Sequence, residues 1–312
     1  MTDPTPKRSE PCYTRDELIA EIGVDVDFAE KVWNAFGFAH QSTEEKIFTQ
    51  ADVDAFRLFA AGAEQLPAGG QVAAARSIGQ AMSRLADWQA DQLLEFDRDP
   101  NVPWSIDDMS KAISQIQRLV WRRHLLLALQ RNVAYSPDVL DWEVVVGFAD
   151  LVGFTSLSRR IDVTELEELL TAFEARVSEE VSAYRGQVVK TLGDGVLFVN
   201  TDPAQAALTA LAISELSNQP PIPELRIGLA QGAVLPRLGD VFGEPVNIAS
   251  RLCGSARPGK ILIDDNLAEL IADDDRFRIR SIPTLSVRGY RRLRASALSA
   301  SRKSQNDSDG DR

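Results

Sequence analysis

The sequence predicts two domains, an all-α N-terminal half followed by an α+β domain of ferredoxin-like topology. Three observations predict it. The chain has 312 residues, and one core serves roughly 100–200 residues. Apolar residues recur near a 3.6 period through residues 13–130, as on amphipathic helices. From Trp142 onward, short β-branched runs alternate with helical stretches in the order β-α-β-β-α-β.

In the first half, Thr14 followed by Glu17 is a capping-box signature ahead of Leu18, Ile19 and Ile22. Thr49 caps a second segment carrying Val53, Phe56, Leu58 and Phe59. Residues 71–95 place Val72, Ala75, Ile78, Met82, Leu85 and Trp88 on one stripe. That pattern, with the Leu125–Leu129 cluster, is the core of a helix bundle; a lipid pocket or a helical dimer seam are the alternatives. Residues 97–103 form a turn-rich break, residues 106–130 a long amphipathic helix, and residues 132–141, with Pro137, a linker.

In the second half, residues 143–148 (EVVVGF) read as a buried strand. Residues 163–184 form a long helix with Leu166, Leu169, Leu170, Phe173 and Val177 on one side. Strands at 187–192 and 196–199 flank Gly193-Asp194-Gly195, a hairpin whose glycines tolerate positive φ. A helix at 203–216, a strand at 224–230 and a helix at 244–253 follow, and strands at 260–263 and 276–282 complete a sheet with helices on one face. Residues 1–12 and 298–312 are polar and expected to be disordered.

Composition removes several functions. With 34 basic against 46 acidic residues the net charge is −12, and both halves are acidic, so no nucleic-acid partner is expected. Only Cys12 and Cys253 are present, which excludes a disulfide framework and a cysteine zinc site. Two histidines leave no His-rich metal centre. No apolar run reaches the ~18–20 residues of a membrane span, and the polar, proline-bearing start lacks the apolar core of a signal peptide. A cytoplasmic protein is expected.

Three constellations can carry chemistry. Asp150 follows the buried strand, at a carboxyl end where α/β proteins tend to place sites. The turn after it, residues 151–155, opens a helix whose free N–H groups can receive phosphate oxygens; a plain helix N-cap is the alternative. Asp194 occupies the tight hairpin, and meets Asp150 if the hairpin lies beside the first strand. Two carboxylates without His or Cys suit Mg²⁺ or Mn²⁺. Asn247 and Arg251, four apart behind Pro245, share one helical face and can hold ribose and phosphate; a solvated polar face is the alternative.

Together the runs Phe148-Ala149-Asp150-Leu151-Val152-Gly153-Phe154-Thr155, Lys190-Thr191-Leu192-Gly193-Asp194-Gly195 and Gly243-x-x-Val246-Asn247-Ile248-Ala249-Ser250-Arg251 resemble the catalytic domain of class III adenylyl cyclases, over about residues 142–295. The resemblance implies a ferredoxin-like class III nucleotide cyclase fold, ATP as substrate, 3′,5′-cyclic AMP and pyrophosphate as products, and two Mg²⁺ or Mn²⁺ per site. It implies a homodimer with active sites at the subunit interface. By motif position, Asp150 and Asp194 match the metal-binding aspartates, Lys190 and Asp240 the adenine-selecting pair, Asn247 the ribose-orienting residue and Arg251 the transition-state residue. Lys190 only donates and Asp240 only accepts, which complements adenine and opposes guanine. A late basic residue usually contacts the triphosphate; Arg288, in Ser286-Val287-Arg288-Gly289-Tyr290, fits that segment, with Arg291 and Arg292 as competitors.

The segment Tyr13-Thr14-Arg15-Asp16-Glu17-Leu18-Ile19 resembles the opening helix-turn-helix of MerR-type regulators, but lacks a basic stripe. It is more similar to the helical regulatory domain that precedes the cyclase domain in some actinobacterial holoenzymes. That implies control of the cyclase by residues 13–131, with His40 and His124 as candidate pH sensors. Competing readings are a nucleotide-binding switch of weak turnover and a transcription regulator.

Overall fold

The computed structural model describes residues 11–38, 45–62, 69–133 and 142–301. It divides into two units, Met1–Ala134 and Tyr135–Arg312. His40, the expected disorder of residues 1–10 and 302–312, and linker residues 134–141 lie outside the described residues.

The first unit is helical: α1 (Arg15–Ile22), α2 (Val26–Phe36), α3 (Gln50–Ala61), α4 (Gly70–Arg98) and α5 (Ile106–Val133). The hydroxyls of Thr14 and Thr49 accept from the N–H groups of Glu17 and Asp52, whose carboxylates accept from the two threonine N–H groups in return. Each such cap contributes about 1 kcal/mol. Cys12, assigned above to the disordered start, instead donates its N–H to Phe48 O at 2.8 Å, and Tyr13 forms a β-bridge with Phe48. Leu18, Ile19 and Val53 make the small core. Helices α2 and α4 cross so closely that a Cβ on Gly79 would stand 2.3 Å from the Phe36 carbonyl oxygen.

The stripe on α4 departs from the expected bundle core. Ala75 is buried, but Ile78, Met82 and Trp88 are 46%, 48% and 55% exposed. The reason is length. Helix α4 has 29 residues, about 43 Å at 1.5 Å per residue, and the short helices α1–α3 cannot cover it. An apolar cleft of about 290 Å³ sits instead at the α4–α5 turn, lined by residues such as Leu93, Phe96, Trp104 and Met109.

The second unit contains β1 (Trp142–Leu151), α6 (Phe154–Leu157), α7 (Val163–Ala183), β2 (Gln187–Thr191), β3 (Gly195–Asn200), α8 (Pro203–Glu215), β4 (Leu225–Arg237), β5 (Asp240–Phe242), α9 (Glu244–Ser255), β6 (Ile261–Ile263), α10 (Asp265–Leu270), β7 (Phe277–Ser281), β8 (Leu285–Val287), β9 (Tyr290–Leu293) and β10 (Ser296–Ala300). The main sheet runs β2-β3-β1-β4-β6-β10-β7. Its first four strands are antiparallel neighbours in ferredoxin-like order, and β6 joins β4 in parallel.

Helices do not pack on one face alone. Val145, Ala149, Val196 and Phe198 point into a core with α7 and α8, whereas Val144, Val146, Leu197 and Val199 meet Ala249 of α9. Burial on both faces explains why β1 reads as a continuous apolar run instead of an alternating one. Helix α9 lies tight on β4: a Cβ on Gly228 would come within 2.2 Å of Cys253 N and 2.3 Å of Ala249 O. Two boundaries also shift. Strand β10 takes in residues 298–300, expected as tail, because Leu298 is buried and pairs with Ile261 and Ile279. The turn after Asp150 opens only the four-residue α6; the long helix starts at Val163, capped by Asp162.

Asp264 joins this core chemically. Its Oδ1 accepts from the N–H groups of Leu267 and Gln231 at 3.1 and 3.2 Å, and burial pushes its carboxyl up to about 6. A pKa raised on folding means that the folded state binds the proton more tightly. The stabilisation is complete below about pH 4, the unfolded value, and is lost as pH rises through about 6. Asp264→Asn keeps an acceptor and cannot ionise. Relative to the variant, wild type is therefore expected to lose about 3 kcal/mol between pH 4 and pH 7. Urea unfolding at both pH values checks this; a pH-independent difference would contradict it.

Candidate active site

Strand β1 ends in Asp150-Leu151, and its two neighbours decide what surrounds that end. The register sets Asp150 opposite Gly195 of β3 and Arg226 of β4. Asp194 sits in the turn just before β3, and its carbonyl accepts from Leu151 N at 2.9 Å. Gly193, at φ 78°, supplies the left-handed residue that makes the turn tight. The two aspartates thus meet at one end of the sheet, because the β2–β3 hairpin lies beside β1.

Arg226, absent from the sequence reading, bridges to Asp150: its Nε donates to Oδ2 at 2.6 Å, and Nη2 also contacts that oxygen. Burial raises the Asp150 pKa, the Arg226 guanidinium opposes the rise, and the charge of Asp194 adds to it. The available signal was a lone arginine opening the apolar run Leu225-Arg226-Ile227-Gly228-Leu229. Its partner depends on the β1–β4 register, which local patterning does not specify.

Asp150, Asp194, Arg226 and Arg251 line one cleft of about 330 Å³. Arg251 reaches it from α9, whose opposite side buries Pro245, Ala249, Leu252 and Cys253. Asn247 stands one turn earlier on α9, exposed, with Nδ2 3.4 Å from Gly243 O. Lys190 of β2 and Asp240 of β5, 50 residues apart, form a separate pair beyond that cleft, with Nζ donating to Oδ2 at 2.5 Å. Asp240 is held from behind by Val241 N, which donates to its Oδ1 at 2.9 Å.

Arg288 lies apart, exposed at the tip of the β8–β9 hairpin beside Gly289; Arg291 and Arg292 are exposed on β9. Tyr290 of that hairpin adjoins α9. Its pKa is raised by partial burial and by the charge of Glu244, with which it hydrogen-bonds, while Arg251 opposes the rise.

The backbone after Asp150 is less free than expected. Leu151 N is taken by Asp194 O, and Val152 N donates to Glu224 O at 2.9 Å. Two of the N–H groups assigned to phosphate therefore serve the fold. Cys253, the nearest thiol, is buried and pushed up to about 12, so it is protonated at neutral pH and no nucleophile.

Among the described residues no three His, Cys, Asp or Glu side chains gather closely enough to hold a metal ion alone. The cleft offers two carboxylates, hard oxygen donors that suit a divalent cation completed by substrate oxygens and water. Burial is the main cause of the raised Asp150 pKa; such a cation would offset that and the smaller contribution of the Asp194 charge. The donor set fits Mg²⁺ or Mn²⁺. No helix among the described residues is long and apolar enough to cross a membrane.

Comparison with known proteins gives a consistent result. The family model described as "Adenylate and Guanylate cyclase catalytic domain" matches residues 141–299. An adenylate cyclase of Streptomyces coelicolor is 39% identical over 271 residues, 82% of this chain and 71% of that protein. An adenylate cyclase of Glutamicibacter nicotianae is 34% identical, over 92% of this chain and 79% of its own length. Among solved structures, the catalytic core of a rhodopsin-guanylyl cyclase with converted specificity, in complex with ATPαS, is 25% identical. That match covers 51% of this chain and 95% of the other, with a TM-score of 0.48.

Proposed function

The chain belongs to the adenylate and guanylate cyclase catalytic-domain family, and we propose that it converts ATP to 3′,5′-cyclic AMP and pyrophosphate in the cytoplasm. The observation that carries the choice of base is the Lys190–Asp240 pair, one donor and one acceptor held 2.5 Å apart. Adenine offers an acceptor at N1 and a donor at N6; guanine offers the reverse.

The ribose 3′-oxygen attacks the α-phosphorus in line as the bond to pyrophosphate breaks. Asp150 and Asp194 would hold two divalent cations. Bound there, the metals would acidify the 3′-hydroxyl and offset charge on the triphosphate. Arg226 keeps the Asp150 carboxylate oriented. Asn247 orients the ribose, and Arg251 offsets the charge that builds around the α-phosphate. Arg288 meets the triphosphate from the hairpin. No side chain of the cleft is needed as a general base.

Each active site is shared by two copies of the chain, Asp150 and Asp194 from one and Lys190, Asp240, Asn247 and Arg251 from its partner, giving two equivalent sites by symmetry. The catalytic domain spans residues 142–300, the last strand included, and residues 13–131 regulate it. His124, exposed beside Arg122 and Arg123 on α5, is the candidate for a pH response. Purified protein with Mn²⁺ or Mg²⁺ is expected to cyclise ATP in strong preference to GTP. Equal turnover of the two would overturn the base assignment.

A further inference from the structure

Helix α9 carries a third polar side chain beside the two assigned to ribose and phosphate. Glu244, Asn247 and Arg251 are spaced three and four apart, so they share one face of α9. Glu244 is exposed in the first turn, and no step of the proposed reaction uses it. Its partner is Tyr290 of β9, whose phenol hydrogen-bonds to the Glu244 carboxylate and feels the charge of Arg251. Partial burial, then the Glu244 charge, raise the Tyr290 pKa, which keeps the phenol a donor at neutral pH.

The β8–β9 hairpin needs such a tether. Its strands have three and four residues, form a sheet of their own, and shift in register between Leu285 and Val287. A two-stranded hairpin is marginally stable by itself in water. Arg288 and Gly289 make the turn between the paired Val287 and Tyr290, with Gly289 at φ 92°. Arg288 is exposed, so its own side chain does not hold the turn in place. Val287 and Tyr290 do: both pack against the cluster that contains Leu252 of α9 and Leu262 of β6. Apolar contact is non-directional and lets the hairpin slide. The directional hydrogen bond from Tyr290 fixes the turn to one position along α9.

We infer that Tyr290 and Glu244 are a positioning pair: their hydrogen bond sets the Arg288 turn against α9, so that Arg288 meets the triphosphate while Asn247 and Arg251 meet the ribose and the α-phosphate. Both act through Arg288 and not on the substrate. The inference rests on the reading of Arg288 as the triphosphate contact.

Steady-state kinetics of the full chain with ATP and Mn²⁺ tests it. Tyr290→Phe keeps the ring packing and removes the hydroxyl. It is expected to raise KM for ATP about five- to tenfold with kcat within about twofold of wild type. A residue that merely stabilised the fold would instead lower kcat through the folded fraction and leave KM alone. Glu244→Ala should match Tyr290→Phe, and the two together should be no worse than either. Glu244→Gln, whose amide oxygen still accepts, should stay within about twofold of wild type. Arg288→Ala should raise KM by about 30-fold, and adding Tyr290→Phe to it should cost less than about twofold more. A wild-type KM in Arg288→Ala would overturn the triphosphate reading and the role of the pair with it. An Arg288→Ala effect beside an unchanged Tyr290→Phe, or effects that simply multiply in the combined variant, would overturn the positioning pair alone.

Discussion

Asp194→Ala is expected to lower the rate of cyclic AMP formation on the order of 10³-fold while leaving the melting temperature within about 1 °C of wild type. The loss follows from the donor set. With two carboxylates at the cleft, removing one leaves too few hard oxygens to keep a second cation, and each cation supplies several kcal/mol of charge stabilisation. The unchanged stability follows from the turn. Asp194 contributes its carbonyl, not its carboxylate, to the Leu151 hydrogen bond, and an alanine there retains that carbonyl. Losing the side chain also removes a charge that raises the Asp150 pKa. Activity and thermal unfolding of the same preparation check both halves. A folded variant with wild-type turnover would contradict the two-metal assignment.

The second large effect concerns the base. Lys190→Glu combined with Asp240→Cys exchanges a donor for an acceptor and an acceptor for a donor, the residue types that guanylyl cyclases of this family generally carry. The ratio of kcat/KM for ATP over GTP is expected to fall by about 10²–10⁴, since a donor–acceptor pair set for one base meets donor with donor and acceptor with acceptor against the other. Lys190 and Asp240 are part-exposed, at 41% and 28%, so the effect on folding is small. Steady-state kinetics with both nucleotides checks it, and an unchanged ratio would remove the pair from base selection.

Much of this was legible because local signals and fold agree. Thr14, Thr49 and Asp162 cap helices where short-range hydrogen bonding alone decides. The run around Asp150 reads as a strand from its β-branched residues. Legibility ended where distant segments meet. Nothing local couples Asp150 to Arg226, 76 residues away, and β10 is a strand because β6 and β7 flank it. The α4 stripe misled for the opposite reason: periodicity reports which face is apolar, not what covers it.

The same limit bears on the active site, since one chain lines a single cleft with Asp150, Asp194 and Arg251, while the proposed site takes the arginine from a partner. Mixing the two inactive variants, Asp194→Ala and Arg251→Ala, separates these directly. A shared site predicts that equal mixing restores about a quarter of wild-type turnover, because half of the pairs are heterodimers with one intact site of two. A mixture that exchanges subunits, shown by a tag on one variant, yet stays as inactive as its components would place the whole site within one chain and contradict the account.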